Sequence, residues 1–517
     1  MKRKTATYRP LSLLTDRVVA LALLLCSLSA AYAGSHDVFL RASLTTAVGN
    51  GEIAPSYVMY NRQGTLTSPS AALARVGAEY SLNASSHFSL SAGADVIGGY
   101  TPGTIYALIG ASSTKSLKNA PLWLQQCYAT AQWRNVYLTL GLKERESVFV
   151  NQGLSSGDLC FSGNARPMPG VAMGFADFCD IPLTNGWVQI CGELSFAKAT
   201  HKKWMEERYN YRNYFITTGE VVNYKYLHFR TNPSQPFSLT IGMQAACQIG
   251  GTRREYAKGV LVKEDSQKVG AKELFKALIP GSGGNQDGDQ AYYEGNHLGT
   301  WDVMGTIVLA SGDALRLYYQ SPWEDGSGIG KLNGFDGLYG LEYTSAHNGL
   351  IEGAVIEYID LMNQSGPMHW APADFENNPI LGQATGADDY YNNYFYCGYQ
   401  HYGMALGSPL IRSAIYSTDG YLRITDNRLR GFHAAITGHL APNVQYWLKA
   451  GYRRSLGTPF VPLLEPRSTT SVSVEARYEF ADRLQGLSVH GQVAGDFGKL
   501  LGDNFGVMVK IAYSFRL

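Results

Sequence analysis

The C-terminal stretch Phe505-Gly-Val-Met-Val-Lys-Ile-Ala-Tyr-Ser-Phe-Arg-Leu517 decides the fold. Phe505, Val507, Val509, Ile511, Tyr513, Phe515 and Leu517 are apolar, and Gly506, Met508, Lys510, Ala512, Ser514 and Arg516 stand between them. Successive side chains of a strand point to opposite faces. One face of this strand therefore suits hydrocarbon and the other a polar interior. Reading outward from it, Val472, Val474, Ala476, Tyr478 and Phe480 alternate with Ser473, Glu475, Arg477 and Glu479. Val444, Tyr446, Leu448, Ala450 and Tyr452 alternate with Gln445, Trp447, Lys449, Gly451 and Arg453, and Val136, Leu138, Leu140 and Leu142 repeat the pattern far upstream.

A soluble β-sandwich also alternates, so the spacing of the breaks carries the argument further. Breaks mark about eighteen strands of about ten residues, the length that spans a bilayer in a tilted barrel. The first falls at 52–61, the next at 73–83 and 88–99, and the last at 486–494 and 504–517. Short connections such as Trp133-Arg134, Ser311-Gly312 and Ala441-Pro442 alternate with generally longer ones. That asymmetry, tight periplasmic turns against long extracellular loops, is expected of an outer-membrane barrel. The longest loops are expected at about 249–299 and 361–428, far beyond ordinary connection lengths and hence functional. The reading is an all-β chain, a single transmembrane antiparallel β-barrel over residues 34–517.

Composition and the N-terminus agree. Charged residues make up 16% of the 517, against about 25% in average soluble domains. There are 57 glycines and 34 tyrosines. Lys2, Arg3, Lys4 and Arg9 precede an apolar run from Val18 to Ala30 that ends at Ala31-Tyr32-Ala33, the pattern of a signal peptide over 1–33. The run is too short to cross a bilayer as a helix. Removing it changes the net charge from +1 to −3, with 38 basic and 41 acidic residues left. With no basic block, nucleic acid is excluded as a partner. The six remaining cysteines form no C-x-x-C pair, so zinc is not expected and small apolar packing roles are.

A closed barrel satisfies every backbone donor and acceptor in lipid, and eighteen strands leave room for a lumen. Inward positions carry Lys143, Arg316, Lys449, Arg453, Glu475, Arg477, Glu479 and Lys510, which read first as a solvated, mutually paired lining.

The segment Leu154-Ser-Ser-Gly-Asp-Leu-Cys-Phe-Ser-Gly-Asn-Ala-Arg-Pro-Met-Pro-Gly170 carries a family resemblance, with Ser321-Pro-Trp-Glu-Asp-Gly-Ser-Gly328 and Asp336-Gly-Leu-Tyr-Gly-Leu-Glu342. Together with Tyr224 to Gly251, these stretches resemble the Wzi family of capsule-assembly outer-membrane proteins. The resemblance implies an eighteen-stranded barrel that acts as a surface lectin and retains exported capsular polysaccharide without catalysis. Its implied partners are capsular or surface polysaccharide, outer-membrane lipid and the capsule-export machinery. The family's type member carries periplasmic helices near its N-terminus; here strand-like sequence follows Gly34 almost directly. The convincing helical patterns, Lys202 to Arg208 and Ala271 to Leu278, lie inside outer loops.

Sugars offer C–H faces that stack on aromatic rings and hydroxyls that need polar partners. The loops supply Trp204 with Tyr209, Tyr211 and Tyr214, Trp323 with Glu324 and Asp325, and His369, Trp370, Tyr390, Tyr391 and Tyr394. Aromatics also form interfacial belts or pack loops together, so each has a structural alternative. Arg145, Arg166, Arg208, Arg212, Arg253 and Arg254 could fork onto carboxylates of an acidic polymer. Asn164 joins Arg166 as a candidate, in a segment whose prolines fix the backbone. The glycan-binding candidates are thus Trp204, Trp323, Asp325, Trp370, Asn164, Arg166 and Arg145.

Gly153-Leu-Ser-Ser-Gly157 matches G-x-S-x-G but lacks the strand-to-helix elbow that motif needs, and no spacing selects a nucleophile and base. No catalytic residue, cofactor or resident metal is expected. Asn285-Gln-Asp287-Gly-Asp289 has hard oxygen ligands for calcium but not the twelve-residue loop pattern. The alternative function is a porin or channel for sugars or other small solutes, distinguished by whether the long loops fold over or into the mouth.

Overall fold

The terminal strand forms as its alternation dictates. Val507, Val509 and Ile511 face outward and are exposed, whereas Met508 between them is buried. The computed structural model describes residues 35–102, 104–107, 114–117, 122–208, 214–278, 295–324, 326–365, 369–370, 384–385, 388–417, 420–481 and 484–517. Its wall is eighteen antiparallel strands. They are β1 Ser35–Gly49, β2 Ala71–Ser85, β3 Phe88–Tyr100, β4 Leu122–Trp133, β5 Val136–Leu142, β6 Gly170–Phe175, β7 Val188–Lys198, β8 Val221–Thr231 and β9 Phe237–Ile249. The second half comprises β10 Asn296–Val308, β11 Ala314–Trp323, β12 Gly337–Thr344, β13 Gly353–Asp360, β14 Leu429–Ala441, β15 Val444–Gly457, β16 Pro462–Glu479, β17 Leu487–Phe497 and β18 Asn504–Arg516. The two-residue piece Cys179–Asp180 adds a nineteenth hydrogen-bonded member beside β7.

Closure is made by β1, which pairs with β2 on one side and with β18 on the other, Leu44 opposite Ile511 and Val48 opposite Val507. A closed wall leaves no strand edge to be satisfied in lipid.

The first strand is where sequence and structure part. It runs over 35–49 rather than 52–61. In β1 the outward Ala42, Leu44, Thr46 and Val48 alternate with Arg41, Ser43, Thr45 and Ala47, so small and hydroxylated residues on both faces flatten the pattern. The apolar run after it serves the interior. Pro55 starts a helical turn, Ser56–Met59, whose Tyr57, Val58 and Met59 are buried.

Connections at the end bearing Ser35 and Arg516 include the two-residue links 86–87, 134–135 and 442–443, and Arg134 takes a left-handed φ of 53° in one of them. The opposite end carries 50–70, 143–169, 199–220, 250–295 and 361–428, although β15–β16 and β17–β18 are joined there by the short 458–461 and 498–503. In an outer-membrane barrel the short-turn end faces the periplasm. Helices occupy Lys202–Arg208 and Ala271–Leu278, matching their sequence patterns. All six cysteines of residues 35–517 are free.

The interior is neither empty nor purely aqueous. Leu154, Leu159, Tyr391, Leu406, Ile411 and Ile424 from the loops pack with wall residues Tyr224, Leu298, Leu338, Val355 and Ile359 in one buried cluster. Each such side chain contributes about 1.5–3 kcal/mol when fully buried, so the loops help hold the wall in shape. Glycines opposite aromatics make the packing possible: Trp323 pairs with Gly299 and Tyr318 with Gly340, each ring lying over the missing Cβ.

Candidate functional site: the loop plug and the outer rim

Segments 147–168 and 388–427 enter the lumen and are tied to inward side chains of the wall. Glu357 of β13 accepts from Ser155 Oγ at 2.5 Å, from the Ser156 backbone N–H at 2.6 Å and from Tyr318 Oη at 2.5 Å. The Leu159 N–H donates to Gln320 Oε1 at 2.6 Å. The hydroxyl in the G-x-S-x-G match is therefore committed to a buried carboxylate. A third loop enters between β1 and β2: Asp496 of β17 accepts from Ser56 N at 2.7 Å and Ser56 Oγ at 2.6 Å, and Tyr57 Oη lies 2.7 Å from His433 Nδ1.

Nearer the outer mouth, Asp336 accepts from the Asn363 and Gln364 N–H groups at 3.0 and 2.7 Å and from Tyr390 Oη at 3.2 Å. Burial pushes its carboxyl up to about 6 against these bonds. Asn427 Nδ2 donates to Asp389 Oδ1 and to the Tyr390 carbonyl, both at 2.6 Å. A buried set of polar bonds of this kind is costly to open, because a buried donor or acceptor left without its partner carries its full desolvation penalty.

The sequence candidates distribute unevenly over this architecture. Trp204 is 8% exposed, with the Arg208 guanidinium 4.2 Å from its ring and Gly403 against its edge. Trp323 is 1% exposed, covered by Gly299 and Gly328. Neither ring has a face open for stacking; both brace loops against the wall. Asn164 is fully buried and donates through Nδ2 to the Ala405 carbonyl at 3.0 Å. Asp325 lies outside the described residues, as do the side chain of Trp370, whose backbone pairs with Ala384, and the calcium candidate at 285–289.

Two arginine candidates do come together. Arg166 is held between the rings of Trp123 and Tyr402, 4.3 and 4.9 Å from their centroids, and Nε donates to the Gly64 carbonyl at 3.3 Å. Burial pushes it down to about 10. His401 Nδ1 lies 2.9 Å from the Arg166 carbonyl, and burial, then His201, depress its pKa well below the ordinary value, so the ring is neutral. Arg145 donates to Ser195 Oγ at 2.9 Å, pairs with Glu193 and lies 5.5 Å from the Tyr224 ring. Both arginines line a small cleft with Gln63 and Phe161, and Arg145 also faces a luminal cavity of about 390 Å³ that reaches Gln132 and Tyr137 near the short-turn end.

At the outer rim a different group is assembled. Arg253 stacks on Phe215 and Tyr394 at 4.1 and 4.3 Å, pairs with Glu255 at 3.1 Å and donates to the Tyr394 carbonyl. Tyr214 packs edge-on against Phe215, centroids 4.8 Å apart. The tyrosines remain open to solvent, Tyr214 at 48% and Tyr394 at 44%. Three outer loops meet here, a convergence that spacing in the sequence cannot reveal.

These features define a closed, eighteen-stranded outer-membrane β-barrel whose outer loops fill part of its lumen. No family model and no curated protein matches the chain. Among solved structures it is similar to Wzi of Escherichia coli, an outer-membrane protein involved in group 1 capsule assembly and described as a carbohydrate-binding β-barrel. The match covers 99% of this chain and 90% of Wzi at 14% identity and a TM-score of 0.53. OpdP of Pseudomonas aeruginosa, with 10% identity, aligns over 93% of this chain and 92% of its own at a TM-score of 0.46. OpdK of the same organism, solved with vanillate, has 8% identity, coverages of 93% and 99% and a TM-score of 0.47.

Proposed function

We propose that this protein is a non-catalytic, lectin-like component of the outer membrane that retains capsular or surface polysaccharide at the cell exterior, exported by a signal peptide over residues 1–33. The observation that carries the reading is the outer face itself: packed loops occupy the lumen, and the rim above them presents Tyr214 and Tyr394 around Arg253. Exposed rings stack on sugar faces, and the Arg253 guanidinium, held against Phe215 and Tyr394, ties Tyr394 to the Phe215 ring on which Tyr214 packs. The fold similarity to a carbohydrate-binding barrel supports the same reading. Arg145 and Arg166 remain proposed contacts only for polymer that reaches their cleft, and the capsule-export machinery is a proposed partner.

The plug counts against an open channel for sugars or other small solutes, because its polar bonds are shared with inward residues of at least β9, β11 and β13. The test pairs two measurements. Purified protein in planar bilayers is expected to conduct poorly, and cells carrying Tyr214→Ala with Tyr394→Ala are expected to make polymer but shed it into the medium. Large stable conductance, or unchanged cell-bound polymer at normal barrel abundance, would overturn the proposal.

A further inference from the structure

Below the plug, towards the short-turn end, a second chamber of about 580 Å³ is enclosed by β15 to β18 and roofed by residues 60–62 and 147–153. That volume lies within the range of about 300–1,000 Å³ usual for small-molecule sites. Its floor reaches Ser488 and Ala512, close to the short-turn ends of β17 and β18. Arg477, at the same level, is 43% exposed. The chamber is thus approached from the side opposite the outer rim.

The wall here breaks a rule of sheet energetics. Arg477 of β16 stands directly opposite His490 of β17, and His490 directly opposite Lys510 of β18. All three face the lumen in one row across neighbouring strands. Basic groups side by side on one face are unfavourable once charged unless something compensates them. Glu475 takes His490, at 2.5 Å, and Arg62 of the roof, at 3.6 Å, and Glu479 takes Arg477 at 2.7 Å. Lys510 and Lys449, the latter two residues from Trp447 on β15, have no ion pair or hydrogen bond among the described residues. Glu146 is the one further carboxylate lining the chamber among those residues. Trp447 lines the same space, 5.9 Å from the His490 ring and only partly buried.

Two ammonium groups that feel Glu475 and Glu144 but make no hydrogen bond or ion pair among the described residues, an arginine roof and a partly open indole form the chemistry of an acidic sugar site: cations for carboxylate or phosphate, and a ring for the sugar's C–H face. We propose that this chamber binds a short acidic saccharide entering from the short-turn end, its anionic groups on Lys449, Lys510 and Arg62 and its ring against Trp447. The site goes beyond the outer-face reading, since it lies on the other side of the plug.

The test is calorimetry on the full-length barrel in detergent at low salt, with trigalacturonate, maltotriose and inorganic phosphate as probes. Trigalacturonate is expected to bind, maltotriose not, and phosphate more weakly. Lys449→Gln with Lys510→Gln is expected to weaken the trimer by about tenfold or more, on the order of one charge-assisted hydrogen bond. Trp447→Leu weakens it without changing phosphate affinity. Both variants must keep heat-modifiable migration, and Lys272→Gln on the outer helix serves as the unaffected comparison. Absence of trimer binding, equal maltotriose binding, phosphate as tight as the trimer, or indifference to the lysine pair in folded protein would each overturn the proposal. Cellular polymer retention reads the outer rim alone, so trimer binding without retention sinks the outer-face reading, and retention without trimer binding sinks this one.

Discussion

Asp158 of the plug and Asp302 of β10 are joined by two glutamines. Gln244 Nε2 donates to Oδ2 of both carboxylates at 2.9 Å, and Gln320 Nε2 donates to Oδ1 of both at 3.1 Å. Each amide thus spans loop and wall. Asp158 also accepts from Ser147 Oγ and the Cys160 N–H, both at 2.8 Å, while His228 Nε2 lies 2.8 Å from Asp302. Two buried acids brought this close repel when both are ionised, and the two amides hold them together across the seam between plug and wall.

A pH dependence follows. Burial, then the charge of Asp302, push the Asp158 carboxyl up to about 6, above the unfolded value of about 3.9. The docked loop therefore binds this proton more tightly than the free chain. Its contribution to docking is complete below pH of about 4 and is lost as pH rises through about 6. A shift of about two units corresponds to a contribution on the order of 3 kcal/mol. Protection factors of residues 147–168 in hydrogen exchange, corrected for the intrinsic rise of exchange with pH, should fall between pH 5 and 7, and Asp158→Asn should flatten that slope. Protection that rises with pH would show the pair to be compensated in another way.

The plug should also be opened by removing its central acceptor. Glu357→Ala frees Ser155, Ser156 and Tyr318 at once, leaving buried donors without a partner. The wall strands keep their pairing. The variant is expected to give larger or more frequent conductance steps than the parent in planar bilayers. Identical silence in both would place the seal in other contacts.

Orientation of the wall is tested on β18. Val509 faces outward and Lys510 inward. Val509→Arg near the bilayer midplane is expected to destabilise by about 2–4 kcal/mol, and Lys510→Ser to be mild. Equal costs in denaturant titrations of folded barrels would reverse the faces.

How much of this was legible depended on what each residue faces. Strands such as β15, with Leu448 and Tyr452 outward and Lys449 and Arg453 inward, announce themselves because lipid and lumen demand opposite chemistry. In β1, Thr45, Thr46 and Ala47 satisfy either side, and the pattern fades. The run Ile53 to Met59 misleads for the converse reason: a segment buried inside the barrel is as apolar as one facing lipid. Trp204 and Trp323 carry the same ambiguity, since a loop aromatic that stacks sugar and one that packs the plug have one composition. Asp302, Gln320 and Glu357 sit at inward positions of their strands, and that parity was the available signal for the plug's anchors. The plug residues they meet lie more than a hundred positions away in all three cases, Leu159 for Gln320, Ser155 for Glu357 and, through the bridging glutamines, Asp158 for Asp302, so the pairing itself had no trace in spacing.

The buried and exposed aromatics should separate experimentally. Trp323 fills the space over Gly299, so Trp323→Ala is expected to cost about 3–5 kcal/mol of stability, as large core truncations do. Polymer lost from cells carrying it would follow lower barrel abundance. Tyr214 and Tyr394 are half exposed and contribute little to the fold. Replacing either by Ala is expected to leave abundance and thermal unfolding unchanged and to weaken polysaccharide binding by about 1–3 kcal/mol if they act as binding hot spots. The contrast distinguishes packing from recognition, because stability and retention move together for Trp323 and apart for the tyrosines. Retention that tracks stability in all three variants would remove the rim from the site.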